Sequence, residues 1–195
     1  MGLYICCGLR LFDHAMFMHR QFFKIYLTLS IAALLAGGCS STPQEKEKKE
    51  KEKAVSTLRI HIEVPPSDFS IAVMVNREPP VSLTIDKEPF LTEANVVEAR
   101  IVEVMGGFDL QIQFDHRGTL LLEEYTTSNP RRRLAIFGQF GNKPGEGRWL
   151  AGPEILRRIT SGTLTFTPDA SRAEVERIVL GLNNVAKQAK EKNKW

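Results

Sequence analysis

An α+β domain, with a largely antiparallel sheet and two main helices packed on one of its faces, is what residues 57–195 predict. Three observations carry this. Short segments alternate apolar and polar residues with period two, turn residues punctuate them, and two later segments switch to helical spacing.

Leu58, Ile60, Ile62 and Val64 alternate with Arg59, His61 and Glu63, a half-buried strand stopped by Pro65-Pro66. Ser70–Val75 is a second apolar run, ended by Asn76 and by Pro79-Pro80. Val81, Leu83 and Ile85 alternate with Ser82 and Thr84 to give a third. Val96–Met105 is rich in β-branched residues, and Gly106-Gly107 turns it into a hairpin. In the return strand Phe108, Leu110, Ile112 and Phe114 face one way and Asp109, Gln111, Gln113 and Asp115 the other. Thr119–Ser128 shifts to helical spacing, with Leu121, Leu122 and Tyr125 on one face, and Asn129-Pro130 stops it. Arg133–Phe137 reads as a more central strand, Gly138–Gly152 as a glycine-rich loop, and Pro153–Ile159 as a short helical or irregular segment. Thr163–Thr167 alternates again. Ser171 and Glu174 then form a capping box, opening a helix whose stripe is Val175, Ile178, Val179, Leu182, Val185 and Ala189.

The chain has 195 residues, 43% of them hydrophobic, enough for one domain with appendages and too apolar for disorder throughout. Its formal charge of +3 is unevenly spread. Residues 1–38 carry +2 and the tract 44–53 carries +1, which leaves 18 basic and 18 acidic residues in 54–195. A nucleic-acid footprint is therefore absent from the folded part. The three cysteines are Cys6, Cys7 and Cys39, so no disulfide framework or cysteine metal site exists downstream.

Arg20 and Lys24 precede an apolar run, Ile25–Ala36, that ends in Gly37-Gly38-Cys39-Ser40. A basic start, a short apolar core and small residues before a cleavage point describe a secretory signal over 1–38. Met18-His19-Arg20 makes a conventional start, so residues 1–17 either lie upstream of the true start or leave with the signal; Cys6 and Cys7 have no role either way. The stretch Leu35-Ala36-Gly37-Gly38-Cys39 resembles the lipobox of bacterial lipoproteins, with Ala36 where that family usually has leucine. The resemblance implies lipid attachment at Cys39 and a membrane-anchored protein of the cell envelope facing the periplasm. Ser40, where an inner-membrane retention signal would place aspartate, allows the outer membrane. Residues 39–56 follow as a charged flexible linker containing QEKEKKEKEK, which has no apolar stripe to dock. Fully extended it would reach on the order of 50 Å, at about 3.3 Å per residue.

No G-x-S-x-G, H-E-x-x-H, Walker A or G-x-G-x-x-G pattern occurs. His61 reads as a solvent-facing strand residue and His116 as a turn residue beside Asp115. The expectation is a protein that is not an enzyme and uses no cofactor or metal. A hydrolase using Asp109, Asp115 or Glu124 is the alternative from another class, and it requires those carboxylates to converge across a pocket. Arg131-Arg132-Arg133 is the one basic cluster of the folded part, and the 138–152 loop carries Phe140 and Trp149. These five residues are the candidate partner-binding set.

From Phe90 to Leu182 the order of features resembles the head subdomain in the first periplasmic region of SecD and SecDF. The matching runs are Phe90-Leu91-Thr92, Tyr125-Thr126-Thr127-Ser128-Asn129, Leu134-Ala135-Ile136, Gly152-Pro153-Glu154-Ile155 and Ile159-Thr160-Ser161-Gly162, closed by the Ser171–Leu182 helix. They cover about half the chain. The resemblance implies a shared head fold, a protein or peptide partner and a link to protein export. The six membrane helices of SecD, which supply its proton path, have no counterpart in the sequence, so proton-driven export does not carry over. A structural envelope lipoprotein without a dedicated ligand is the other reading in the same location.

Overall fold

Seven residues at the head of the domain set the frame. Strand β1 (Ser56–Ile62) runs down the middle of a four-stranded antiparallel sheet ordered β4-β1-β7-β8, with β4 at Leu91–Thr92, β7 at Leu134–Phe140 and β8 at Gly147–Ala151. In this computed structural model, residues 51, 53–77, 79–140 and 147–192 are described, all within one compact unit, Lys46–Trp195. The expected signal over 1–38, Cys39 and most of the expected linker over 39–56 lie outside the described residues.

Period-two alternation gives β1 two faces with different neighbours. Leu58, Ile60 and Ile62 enter the larger core with Leu134, Ile136 and Leu150. The opposite face carries Ala135, covered by the hairpin of β2 (Ser70–Val75) and β3 (Val81–Asp86) through Val75, Leu83 and Ile85. A third sheet, ordered β5-β6-β9, is built from β5 (Val96–Val104), β6 (Gly107–Phe114) and β9 (Thr163–Phe166), and it adds Leu110, Ile112 and Phe166 to the larger core. The α+β class is thus realised as three antiparallel sheets.

Both helices serve that larger core. Helix α1 (His116–Ser128) buries Leu122 and stacks Tyr125 on Phe90, with ring centroids 4.1 Å apart. It begins three residues before the helical spacing suggests, because Asp115 Oδ1 accepts the Gly118 N–H at 2.6 Å as an N-cap. Helix α2 (Arg172–Lys192) opens on the expected box: Ser171 N–H donates to Glu174 Oε2 at 2.7 Å, and Glu174 N–H to Ser171 Oγ at 3.4 Å. Its buried stripe is Val175, Ile178, Gly181, Leu182 and Ala186, while Ala189 is exposed. Gly181 is explained by proximity, since a Cβ there would lie 2.6 Å from Ser56 N. The helix forgoes about 1 kcal/mol of propensity at this glycine and gains a close seat on β1.

One segment departs from its sequence reading. The expected loop 138–152 is largely strand: β7 continues to Phe140 and β8 returns from Gly147. Glycine here serves packing, because a Cβ at Gly138 would fall 2.6 Å from Leu150 Cδ1. Pro153–Ile159 is irregular and held by a bridge between Arg133 and Glu154.

Candidate binding surface

The arginine cluster leaves α1 through a tight stop. Asn129 caps the helix, its Nδ2 donating to Tyr125 O at 3.0 Å, and Pro130 prevents continuation. Arg131 then adopts φ 67°, in the left-handed region that non-glycine residues seldom occupy. That reversal lets the chain pair with the 153–155 segment: Arg131 N–H donates to Ile155 O at 3.1 Å and Ile155 N–H to Arg132 O at 2.8 Å. Arg133 points back into the fold. Its N–H meets Glu63 Oε2 at 2.8 Å and its guanidinium donates to Gly152 O at 2.9 Å. Of the three arginines, Arg131 and Arg132 are exposed and Arg133 is half-buried and structural.

The adjoining segment completes the surface. Thr126 Oγ1 accepts the Ile159 N–H at 3.0 Å and so ties the segment to α1. Leu156 stands 79% exposed between this anchor and the strand, beside Arg157 and Arg158. An open cavity of about 510 Å³ lies along the same segment, lined by Leu134, Ile155, Ile159 and Leu164 as well as by Arg157, Arg158, Thr160 and Thr163. Two loose ion pairs, Arg131–Glu154 at 3.8 Å and Arg158–Glu123 at 3.6 Å, offset part of the charge. Such exposed pairs contribute little and exchange readily for other carboxylates. Arginine forks around apolar side chains suit contact with a protein surface or peptide.

Phe140 and Trp149 do not join this surface. Phe140 is 5% exposed, sits in the larger core, and has the Arg177 guanidinium 5.2 Å above its ring. Trp149 is half-buried on β8, packed on the smaller core with its ring edge-on to Phe137 at 5.3 Å and His61 at 5.5 Å. Both residues lie on strands and not on the loop that the glycines suggest, because glycine here lets the strands and their neighbours approach closely. His61 is also corrected. It is 5% exposed, with Nδ1 2.8 Å from Asp86 O, and burial holds its pKa below the usual histidine value. It does lie on the polar register of β1 that the alternation predicts, and the β2–β3 hairpin covers that face. Leu156, Arg157 and Arg158 lie outside the candidate set that the sequence suggests; the leucine beside two arginines is visible in sequence, but its exposure is not.

The carboxylates have other tasks. Asp115 caps α1, Asp109 Oδ1 accepts from Thr167 Oγ1 at 2.7 Å, and Glu124 is exposed on α1. None of the three lines the cavity. Hydrogen bonds from the Ser171 backbone and hydroxyl, then the Arg148 guanidinium, hold Glu174 below the usual carboxylate range. Among the described residues no group of three or more histidine, cysteine or acidic side chains is placed to hold a metal ion.

No protein-family model matches the chain, and no curated protein matches it in sequence. Solved structures do. SecDF, a membrane component that enhances protein export, superposes with a TM-score of 0.51 at 19% identity, over 75% of this chain and 70% of that one. SecDF in a super-membrane-facing form gives 0.50 at 23% identity, over 73% of this chain and 21% of that one. The chain has a SecDF-like fold. The likeness reaches beyond the half of the chain that carries the sequence resemblance, and it corresponds to about a fifth of the second SecDF chain.

Proposed function

We propose that this chain is a non-catalytic, lipid-anchored protein of the bacterial cell envelope whose SecDF-like domain binds a protein or peptide partner in connection with protein export. The observation that carries the reading is the SecDF-like fold over three-quarters of the chain. The exposed Arg131, Arg132, Leu156 and Arg157 surface supports it, because it combines charge and apolar contact beside a cavity. Among the described residues no helix is long and apolar enough to cross a membrane. Under this reading attachment is through lipid on Cys39, on a membrane facing the periplasm, with Ser40 permitting the outer one.

Photo-crosslinking residues at Arg132 and Leu156 test the binding in intact cells. Pulse-labelled exported polypeptides are expected in the crosslinked product and should vanish when export is halted. A purely structural lipoprotein would yield no export-dependent product, which would end the reading. The anchor has its own test. Labelled palmitate should enter the wild-type chain and not Cys39→Ser, and the variant should leave the membrane fraction. A Cys39→Ser chain that stays on the membrane overturns the anchor.

A further inference from the structure

Sheet edges are where this fold treats one strand unlike the others. An edge presents unpaired N–H and C=O groups that invite another chain, and proteins ordinarily block it. The blocks are visible here. On β5, Asn183 spans Ala99 like a miniature strand, its Oδ1 accepting the Ala99 N–H at 2.8 Å and its Nδ2 donating to Ala99 O at 2.9 Å. Beyond the two-residue β4, the Glu93 carboxylate accepts the Leu58 N–H of β1 at 3.1 Å. On β8, Leu150 O accepts the Asp169 N–H at 2.6 Å. Strand β9 is only four residues long.

Among the described residues strand β2 meets none of these blocks. Its six residues, Ser-Ile-Ala-Val-Met-Val, contain no charge and no proline, and its register with β3 is regular from Ser70 to Val75. Lys87 N–H donates to Phe69 O at 3.2 Å, which fixes the parity of the hairpin. The hydrogen-bonded pairs are then 69 with 87, 71 with 85, 73 with 83 and 75 with 81, so the N–H and C=O of Ala72 and Met74 point away from β3. Among the described residues no strand pairs with that edge. The side chains are as open as the backbone. From the buried Val75, the inward face of β2 rises through Val73 to Ile71 at 39% and Phe69 at 79% exposure, while Met74 on the other face is 54% exposed.

We propose that the free edge of β2 is a strand-addition site, which takes an extended, unfolded polypeptide segment with apolar residues at alternate positions. This deepens the reading of the chain as a polypeptide-binding protein and rests on it. An extended partner can satisfy the N–H and C=O of Ala72 and Met74 with its own peptide groups, and main-chain hydrogen bonds give such complexes their affinity. The uncharged strand imposes no charge on the guest. The stripe of Phe69, Ile71 and Val73 selects its side chains, because every second residue of an added strand faces that stripe. A second copy of the chain is the weaker occupant. Two six-residue edges meeting alone bury on the order of a few hundred Å², against roughly 1,200 Å² for a stable interface.

The test uses a fluorescein-labelled octapeptide of alternating valine and threonine, and the same peptide with proline at alternate positions, titrated against the purified full chain. The first should bind and the second should not. Ala72→Pro removes an N–H that points away from β3 and leaves the β2–β3 bonds in place, so it should weaken binding by about tenfold or more. Met74→Lys, which puts an edge charge on an already exposed position, should act in the same direction without touching the backbone. Met105→Lys, at a fully exposed methionine in the β5–β6 turn, should bind as wild type. In hydrogen exchange, the amides of Ala72 and Met74 should be fast in the free chain and protected by the peptide. Binding unchanged in both Ala72→Pro and Met74→Lys overturns the proposal, as does protection that appears elsewhere. Self-association that both variants abolish would assign the edge to a second copy and overturn it too. If the octapeptide fails to bind while Leu156 still crosslinks exported chains, the site on β2 is refuted and the polypeptide-binding reading stands.

Discussion

The two faces of the four-stranded sheet are covered by different means. One side holds two helices and a second sheet over a continuous core that includes Leu58, Ile60, Ile136, Ile178 and Leu182, each fully buried. Among the described residues the other holds only the β2–β3 hairpin, with Val75, Leu83, Ile85 and Ala135 buried there. The first face is sealed at its margins by Asn183, Glu93 and the Ser171–Glu174 cap. The second thins outward to exposed Ile71 and Phe69. Burial of apolar area dominates folding stability, so the helical side should govern global unfolding and the hairpin side should open first. Surfaces that open at low cost are where a guest is most easily admitted.

The largest effect belongs to the helical side. Ile178 is fully buried on α2, and its Cδ1 lies 3.8 Å from where a Cβ on Gly138 would sit, so it fills the space under β7. Ile178→Ala should cost about 3–5 kcal/mol, as truncation inside a well-packed core leaves a cavity that rigid neighbours cannot close. Urea denaturation reads this as a lower midpoint with the slope unchanged. A loss below about 1 kcal/mol would show that the helix is not a principal cover of the sheet.

A smaller and more local loss is expected across the sheet. Leu83→Ala removes the side chain that meets Gly152 beneath β8, and a lightly covered hairpin can settle into part of the vacated space. The cost should fall near the low end of the leucine series, about 2–3 kcal/mol. Its signature is regional: amide exchange should quicken in β2 and β3 and stay slow in β1 and β7. Uniform acceleration across both regions would erase the proposed difference between the faces.

How much of this the sequence reveals differs between the same two regions. The helical side is legible because period two and period 3.6 are local signals, and Leu58–Ile62 and Val175–Leu182 carry them cleanly. The Ser171–Glu174 box is legible for the same reason. The other side depends on what folds over what. His61 sits on the polar register of β1, and nothing within seven residues reveals that Asp86 and Trp149 will enclose it. Trp149 and Phe140 are misread for a related reason, since the glycines near them signal a loop by composition while serving close packing between strands. The exposed arginines are visible in sequence, but Arg133 differs from Arg131 and Arg132 only through its distant partners Glu63 and Gly152.

The smallest expected effect is a pH dependence confined to the hairpin side. With Nδ1 against Asp86 O, His61 is the neutral Nδ1–H tautomer, and protonation would place charge at Nε2 in a nearly closed space beside Trp149. Burial is the main cause lowering its pKa; the Arg59 charge lowers it further, and the Asp86 carbonyl bond and carboxylate oppose both. A histidine with a depressed folded-state pKa binds its proton first in the unfolded chain. Stability is therefore complete above the unfolded value of about 6.5, declines as pH falls through it, and levels off once the folded-state pKa is passed. His61→Gln retains a side-chain donor for Asp86 O and does not titrate, so it should flatten this part of the profile between about pH 7 and pH 5. Hairpin amide exchange should report the change before global unfolding does, because the group lost links β1 to β3. If wild type and His61→Gln lose stability equally over that interval, the acid sensitivity lies elsewhere, and the enclosure of His61 is not what fastens the hairpin to the sheet.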